Sequence, residues 1–523
     1  MGEGARAEDT RRFADETTAR QQLSSSAFRP LGRTGLVTSA IGFGAYRIDA
    51  QIENHRAALR QALRRGVNLI DTSSNYNDGR SETLIGEVLA EDSEAAPELR
   101  RRTILVSKVG YVQASNMELA KQAISAGQPY PEMVEYNPTC WHCIHPRFLG
   151  DQLRLSLERL RVDTLDVYLL HNPEYFFSDW KKRNPGGELA AARGAFYDRI
   201  GAAFRLLEQR MLEGVIRWYG VSSNTFGQHP EKSDFISLEK LIAVAGEAAR
   251  EVHGVDRPSG FAVVQCPLNL YEGGPYLLAN QRDGAMTFLE LARKSDLAVL
   301  VNRPLNAIRP GGLVRLADFP VPRPNVEQEI QHALDGLRSE EQACAALFRP
   351  QVAHALPEDA GPHTPFEWSG PLRRALDRMN SKEQWNRSLE DQIYPHLHNA
   401  SRFMQQQLST PGLRKDFTAW YPGYCRKLED VAGMISEWLG RADFARSNDM
   451  HERLEPLLEA RLRGLPLSQK ALVTLLALPG VSCVLNGMRR TSYVEDSTGA
   501  MAAGPCDAAA ADSIMRSFAE PVA

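Results

Sequence analysis

Four side chains capable of acid–base chemistry stand at, or just beyond, the ends of apolar runs of strand length. Val67-Asn68-Leu69-Ile70 runs into Asp71, with Tyr76 in the polar turn that follows. Thr103-Ile-Leu-Val-Ser leads to Lys108, and Leu165-Asp-Val-Tyr-Leu-Leu170 leads to His171. A lysine buried near a tyrosine stabilises the phenolate and lowers the phenol's pKa, and a carboxylate beside the lysine keeps the ammonium charged and oriented. An imidazole alongside fixes a carbonyl oxygen. Each residue also has a plain reading: Asp71 caps a turn, Tyr76 is a half-buried ring, Lys108 snorkels, and His171 donates to a backbone carbonyl. Four coincidences at strand ends argue for one shared site.

Such residues need a scaffold that brings strand ends together. Eight apolar segments predict strands: Ser39–Ala45, Val67–Ile70, Thr103–Lys108, Leu165–Leu170, Ile216–Val221, Phe261–Gln265, Leu297–Val301 and Val481–Leu485. Helical patterns precede most of them, at Glu53–Arg65, Leu149–Leu160, Ile200–Leu212, Ser237–Glu251, Ala285–Ala292 and Ser468–Leu478. Eight β-α steps imply a closed (β/α)8 TIM barrel, whose chemistry sits at the C-terminal ends of the strands. A doubly wound sheet is the alternative, and no GxGxxG follows the first strand to support it.

At 523 residues the chain exceeds a bare barrel of about 250 residues, so the excess is inserted or appended. Residues 1–27 read as a disordered polar tail, and 28–315 as the barrel through its seventh strand, opened by a hairpin at Phe28–Ser39. Residues 316–462 read as a large, mostly helical insertion between strands 7 and 8, 463–508 as the barrel's completion, and 509–523 as a C-terminal tail. The insertion holds Pro-rich stretches at Val321–Pro324 and Pro357–Pro365, and its apolar and aromatic stripes suit the private core of a helical subdomain.

Hydrophobic residues at 43% and charged residues at 24% are those of a soluble globular protein, and a net charge of -4 disfavours a nucleic-acid partner. Seven cysteines, few and odd in number, suit a reducing, cytoplasmic setting. No apolar run approaches membrane-spanning length, and the N-terminus has no apolar core of a signal peptide. In a shorter excursion, Gly110–His145, the run Cys140-Trp-His-Cys-Ile-His145 could hold zinc, but it lacks a second matched pair and reads better as free side chains in a substrate loop; no metal site is assigned.

With Asp71 and Tyr76 in Asp-Thr-Ser-Ser-Asn-Tyr, Lys108 in Ile-Leu-Val-Ser-Lys and His171 in Leu-Asp-Val-Tyr-Leu-Leu-His, the chain resembles the aldo-keto reductases. The resemblance implies a (β/α)8 barrel that binds a nicotinamide nucleotide without a Rossmann domain. It further implies reduction of an aldehyde or ketone, or oxidation of the corresponding alcohol, through an Asp, Tyr, Lys and His tetrad. It extends to cofactor contacts: Gly44, Ala45 and Tyr46 near the nicotinamide along with Asp71; Ser222, Ser223 and Asn224 in Gly-Val-Ser-Ser-Asn, with the serine that holds the carboxamide left open; and Gln265 on its amide. Asn302 stands where many members place a stacking ring, and Arg303-Pro304-Leu305 resembles the segment that wraps the pyrophosphate. Gly487, Met488, Arg489, Tyr493, Asp496 and Ser497 resemble the adenosine-phosphate loop, with Tyr493 in the place of a frequent arginine. Arg489 and Arg490 could pair with a 2′-phosphate, which favours NADP(H) and leaves NAD(H) open.

The partner implied is a small-molecule carbonyl or alcohol. A barrel hydrolase or lyase would need a second acid or a metal triad, which the strand ends lack. The alternative of a different class is a nucleotide-binding regulatory or interaction protein of the same fold with slow turnover, a use that the β-subunits of potassium channels show the family permits.

Overall fold

Each of the eight predicted segments is a strand in the computed structural model, which describes residues 4–255, 257–309, 312–355 and 366–519. The strands are β1 Ile41–Gly44, β2 Leu69–Asp71, β3 Ile104–Val109, β4 Leu165–His171, β5 Ile216–Ser222, β6 Phe261–Pro267, β7 Ala298–Asn302 and β8 Cys483–Gly487. They form a closed barrel in sequence order, every pairing parallel, with β8 returning to β1. The expected (β/α)8 barrel is the fold. Helices cover the strands outside and side chains fill the inside, so most strand residues are buried on both faces and read as continuous apolar runs.

The helices are amphipathic for the same reason. Glu53–Arg64 buries His55, Ala58, Leu59 and Ala62, one stripe at i, i+3, i+4 and i+7. Leu238–His253 is closed at both ends, by Ser237 accepting from the Lys240 N–H and by Gly254 at φ 68°, where a residue without Cβ is favoured. The predicted hairpin is present as Phe28–Pro30 paired antiparallel with Val37–Ser39.

The expected disordered tail over residues 1–27 is corrected. Ala7–Gln21 is a helix that buries Asp9, Thr10, Phe13, Ala14 and Thr17. The Phe13 ring meets Phe28 at 6.0 Å and lies under the Arg102 guanidinium at 4.7 Å, while the Thr10 hydroxyl accepts from the Val37 N–H at 3.1 Å. Only Phe13 reads as strongly apolar. The rest of the stripe is threonine, alanine and a paired aspartate, which pack closely without a hydrophobic signal. The Ala5 N–H donates to Asp166 at 2.6 Å, and Asp166 is also bound by the fully buried Arg100 at 2.8 Å. The C-terminal tail likewise contains a helix, Ala508–Phe518, that buries Ala511, Ile514, Met515 and Phe518. Residues 1–3 and 520–523 lie outside the described residues.

The chain divides into two compact units, Met1–Ala317 with Arg453–Ala523, and Asp318–Glu452. The second is helical, built mainly from Val326–Val352, Tyr394–Gln407 and Pro411–Leu454, and it has its own core of residues such as Leu334, Phe348, Phe417, Tyr424 and Ile435. Val326–Val352 is a single helix of 27 residues. Its buried Glu341 accepts from the Trp368 and Ser369 N–H groups at 2.7 and 2.8 Å. The Pro357–Pro365 stretch lies outside the described residues. The unit ends before the expected boundary at 462, because Arg453 covers the Phe518 ring at 3.8 Å and Arg461 donates to the Pro505 carbonyl at 2.7 Å. No helix among the described residues is long and apolar enough to cross a membrane, and all seven cysteines are free thiols.

Candidate active site

Barrel register decides which polar side chains share the rim. Gly44 is level with Asp71, Ser222 with His171, and Ser222 with Gln265, so these residues meet at the C-terminal ends of β1, β2, β4, β5 and β6. Lys108, near the end of β3, is fully buried. Its Nζ donates to both Asp71 oxygens at 2.7 Å and to the Thr72 carbonyl at 2.8 Å, which uses all three of its donors. Burial lowers the Lys108 pKa, and the charge and hydrogen bonds of Asp71 oppose that shift.

Tyr76 returns over this pair on a turn whose residues Asn77, Asp78 and Gly79 have φ of 46°, 56° and 81°. The left-handed region suits Asn, Asp and Gly. Lys108 Nζ lies 4.9 Å from the centre of the Tyr76 ring. Tyr46 and His171 meet the same ring edge-on at 5.2 and 5.9 Å. The expected lowering of the Tyr76 pKa by Lys108 is corrected: burial, then the charges of Asp71 and Tyr46, push the phenol well above its ordinary value, so it carries its proton at neutral pH.

The His171 imidazole is held neutral by burial and then by the charges of Lys108 and His142, which push its pKa well down. Ser73 Oγ stands 3.1 Å from its Nδ1. The same hydroxyl is within reach of Asn75 Oδ1 at 2.7 Å and of the Lys108 carbonyl at 3.2 Å. Behind His171, His142 donates from Nε2 to the His171 carbonyl at 2.7 Å, and Tyr111 packs edge-on against the His171 ring at 4.8 Å. Gly110 has no space for a Cβ, which would run into His142 Nε2 and the His171 carbonyl.

A second chain of bonds crosses the mouth from Asp71. Gln265 Nε2 donates to Asp71 at 2.8 Å, and Gln265 Oε1 accepts from Ser222 Oγ at 2.9 Å and Asn302 Nδ2 at 3.2 Å. The two adjacent serines differ in their partners: Ser222 faces Gln265 in the barrel, while Ser223 Oγ pairs with Thr225 at 3.0 Å. Asn224 is exposed, and its backbone N–H donates to Glu174 at 2.8 Å. Ala45 is buried with its N–H on the Asp71 carbonyl at 2.9 Å. Pro304 and Leu305 are buried, and Arg303 turns to Glu272 at 2.6 Å. Gly487 is exposed beside Gly44, Met488 is a core residue, and Arg490 covers the half-exposed Tyr493 ring at 5.9 Å.

Two of the residues expected at the cofactor are engaged with their own neighbours in the fold. Ser497 is fully buried, donates to the Tyr493 carbonyl and accepts from Asn486, so its hydroxyl is spent inside the fold. Asp496 is bound by Ser468 at 3.0 Å and by Gln469 at 3.2 Å. Three residues that sequence reasoning missed adjoin the rim: Tyr111, His142 and Glu174. Burial raises the Glu174 pKa to about 7, and one of its oxygens is buried without a hydrogen-bond partner.

The description of the aldo/keto reductase family as a sequence model matches residues 40–306, just over half of the chain. The chain belongs to the aldo/keto reductase family. The 6-dehydroglucose reductase of Novosphingobium aromaticivorans is 29% identical over 233 residues, 42% of this chain and 59% of that protein. The uncharacterized oxidoreductase YqkF of Bacillus subtilis is 24% identical over 216 residues, 40% and 54% of the two chains. Among solved structures, the aldo-keto reductase AKR11C1 from Bacillus halodurans in its holo form aligns with a TM-score of 0.46 at 17% identity, covering 95% of this chain and 97% of that one. The chain spans about half the length of the curated relatives it matches. In this aldo/keto reductase the match runs from β1 through β7 and stops short of the helical unit.

The buried histidines are expected to make this aldo/keto reductase acid-sensitive. Burial lowers the His142 pKa from 6.5 to about 4. A depressed folded pKa gives stability that is fully present above 6.5 and is lost as pH falls toward 4, about 3 kcal/mol from this group at the usual 1.36 kcal/mol per pKa unit. His171 acts with the same sign. Urea midpoints measured between pH 7 and pH 4 are expected to fall less steeply for His142→Asn than for the wild type; parallel slopes would show that His142 is protonated without cost.

Proposed function

We propose that this aldo/keto reductase is an NAD(P)-dependent oxidoreductase that reduces an aldehyde or ketone, or oxidises the corresponding alcohol, with Tyr76 as general acid and base. The observation that carries the reading is the buried Lys108–Asp71 pair, 2.7 Å across, set 4.9 Å from the centre of the Tyr76 ring. Tyr76 holds a proton at neutral pH and can give it to a carbonyl oxygen. The Lys108 charge then offsets the phenolate that remains, and Asp71 opposes the shift by which burial lowers the Lys108 pKa. Neutral His171 donates to the same oxygen from Nε2 when its Nδ1 accepts from Ser73, so the Ser73 proton sets the useful tautomer.

The residues at the strand ends fit a nicotinamide nucleotide. Asn302 Oδ1 and Arg303 Nε are buried without partners, and Gln265 keeps one amide N–H beyond the one given to Asp71. A Cβ on Gly44 would lie 3.1 Å from the Asn486 carbonyl, so no side chain crowds the mouth there. Ser222, Asn224, Gln265 and Asn302 would hold the carboxamide end. Arg489 and Arg490 make no ion pair among the described residues and stand at the start of helix Thr491–Ala503, where N–H groups favour phosphate. Two guanidiniums without a carboxylate partner support NADP(H) as the preferred cofactor. A relative named the NADH-specific methylglyoxal reductase of Escherichia coli, 27% identical over 194 residues, keeps NAD(H) in view. When bound, the reduced nucleotide supplies the hydride. The substrate is a small molecule, and the seven free thiols accord with a cytoplasmic setting.

Fluorescence titration with NADPH and NADH, followed by a panel of aldehydes and ketones read by nucleotide absorbance, tests the proposal. Nucleotide binding with turnover of at least one carbonyl is expected. Binding without turnover across the panel would favour a slow nucleotide-binding regulatory protein, and failure to bind either nucleotide would overturn both.

A further inference from the structure

We propose that a cavity behind the excursion's small sheet is a second ligand site, for a neutral polyhydroxylated ring such as a sugar. Residues 110–145 contain a three-stranded antiparallel sheet, Tyr111–Val112, Cys140–His142 and Val134–Asn137. Tyr111, His142 and Val134 are in register on one face, where Tyr111 and His142 meet His171. Strand alternation turns Trp141 and Glu135 to the other face. Helix Tyr175–Arg183 presents Phe176, Asp179, Trp180 and Arg183 to the same space, at i, i+3, i+4 and i+7. Between them lies a cavity of about 360 Å³ that includes none of the strand-end residues. Ligand pockets run from about 300 to 1,000 Å³, so this one suits one or two rings and is small for a dinucleotide.

The lining selects neutral hydroxyls over anions. Both arginines at the cavity are already paired, Arg183 with Asp179 at 2.8 Å and Arg199 with Glu132 at 3.5 Å. An anionic ligand would have to displace the carboxylate from one of these pairs, whereas hydroxyl groups can bond to both pairs as they stand. Trp180 Nε1 is buried with no acceptor among the described residues. Exposed Glu135 makes no ion pair among the described residues and offers further acceptors. Trp141, Phe176 and Trp180 supply apolar ring surface for the C–H groups of a saturated ring.

The proposal stands apart from the reading of the strand-end residues, and its test uses the full chain. Methyl β-D-glucopyranoside, methyl β-D-galactopyranoside and cellobiose serve as probes in calorimetric titration and saturation-transfer NMR, with sodium phosphate and benzylammonium as charged comparators. At least one sugar should bind saturably, with equal affinity in the wild type and in Tyr76→Phe. Its affinity should fall about tenfold or more in Trp141→Ala and in Glu135→Gln. Glu135→Gln alters only an exposed side chain and so guards against misfolding of the tryptophan variant. The proposal is overturned if no sugar binds, if a charged comparator binds in preference, if both cavity variants keep wild-type affinity, or if Tyr76→Phe removes the binding.

Discussion

Tyr76→Phe is expected to lower kcat by about 10²–10⁴-fold, the range that a positioned proton donor contributes, and to leave nucleotide binding as it was. The substitution keeps the ring and so keeps the edge contacts with Tyr46 and His171 and the approach of Lys108. Only the oxygen that carries the proton is lost. Because the phenol is held well above its ordinary pKa, the wild type is already in the acid form that reduction needs at neutral pH. Steady-state rates beside a fluorescence titration separate the two effects. A variant that turned over like the wild type would remove Tyr76 from the chemistry, and one that lost nucleotide affinity in parallel would make it a binding residue.

Lys108→Met is expected to cost about 3–5 kcal/mol of stability as well as turnover. Removing one partner of a buried ion pair leaves the other charge without compensation. Asp71 is 4% exposed and would keep only the Gln265 hydrogen bond of those described for its carboxylate, while the Thr72 carbonyl would lose its Lys108 donor. Lys108→Met combined with Asp71→Asn removes both charges and should recover much of the lost stability while restoring no activity. Urea unfolding of the three proteins reads the first effect and carbonyl turnover the second. A single variant as stable as the wild type would mean that water reaches Asp71 once the lysine is gone.

The rim of the barrel was legible because its polar residues interrupt the pattern around them. Asp71, Lys108 and His171 each stand at the end of an apolar run, and such runs predict strands whose ends must converge. Ser222 and Gln265 were found through family resemblance, but their bond to each other depends on the register of β5 and β6, which hydrophobic pattern does not specify. His142 was visible only as part of a run that resembled a metal ligand set. Its partner is a carbonyl 29 residues away, brought near by a hairpin and a strand end. Glu174 meets an N–H group 50 residues downstream, across two loops. Gly110 was the available signal for this crowding, since a glycine at φ 150° just after a strand marks close approach of another chain segment. The N-terminal helix was missed because its buried stripe is built from Thr10, Ala14 and Thr17 around a single aromatic residue.

The placement of the helical unit between β7 and β8 bears on how the barrel closes as it folds. Leu300 is in register with Cys483, so the last seam of the barrel joins residues about 180 positions apart. The entropy of closing a flexible loop grows as (3/2)RT ln n, and non-local pairings of this kind slow folding. A segment with its own core can be compact before the seam forms. If residues 318–452 are already folded, fewer than about 50 flexible residues separate the two strands, and the closure cost falls by about 1 kcal/mol. On this view the unit is a kinetic brace for the barrel, and pulse-labelled amide exchange should find protection in Val326–Val352 before it appears in Ala298–Asn302.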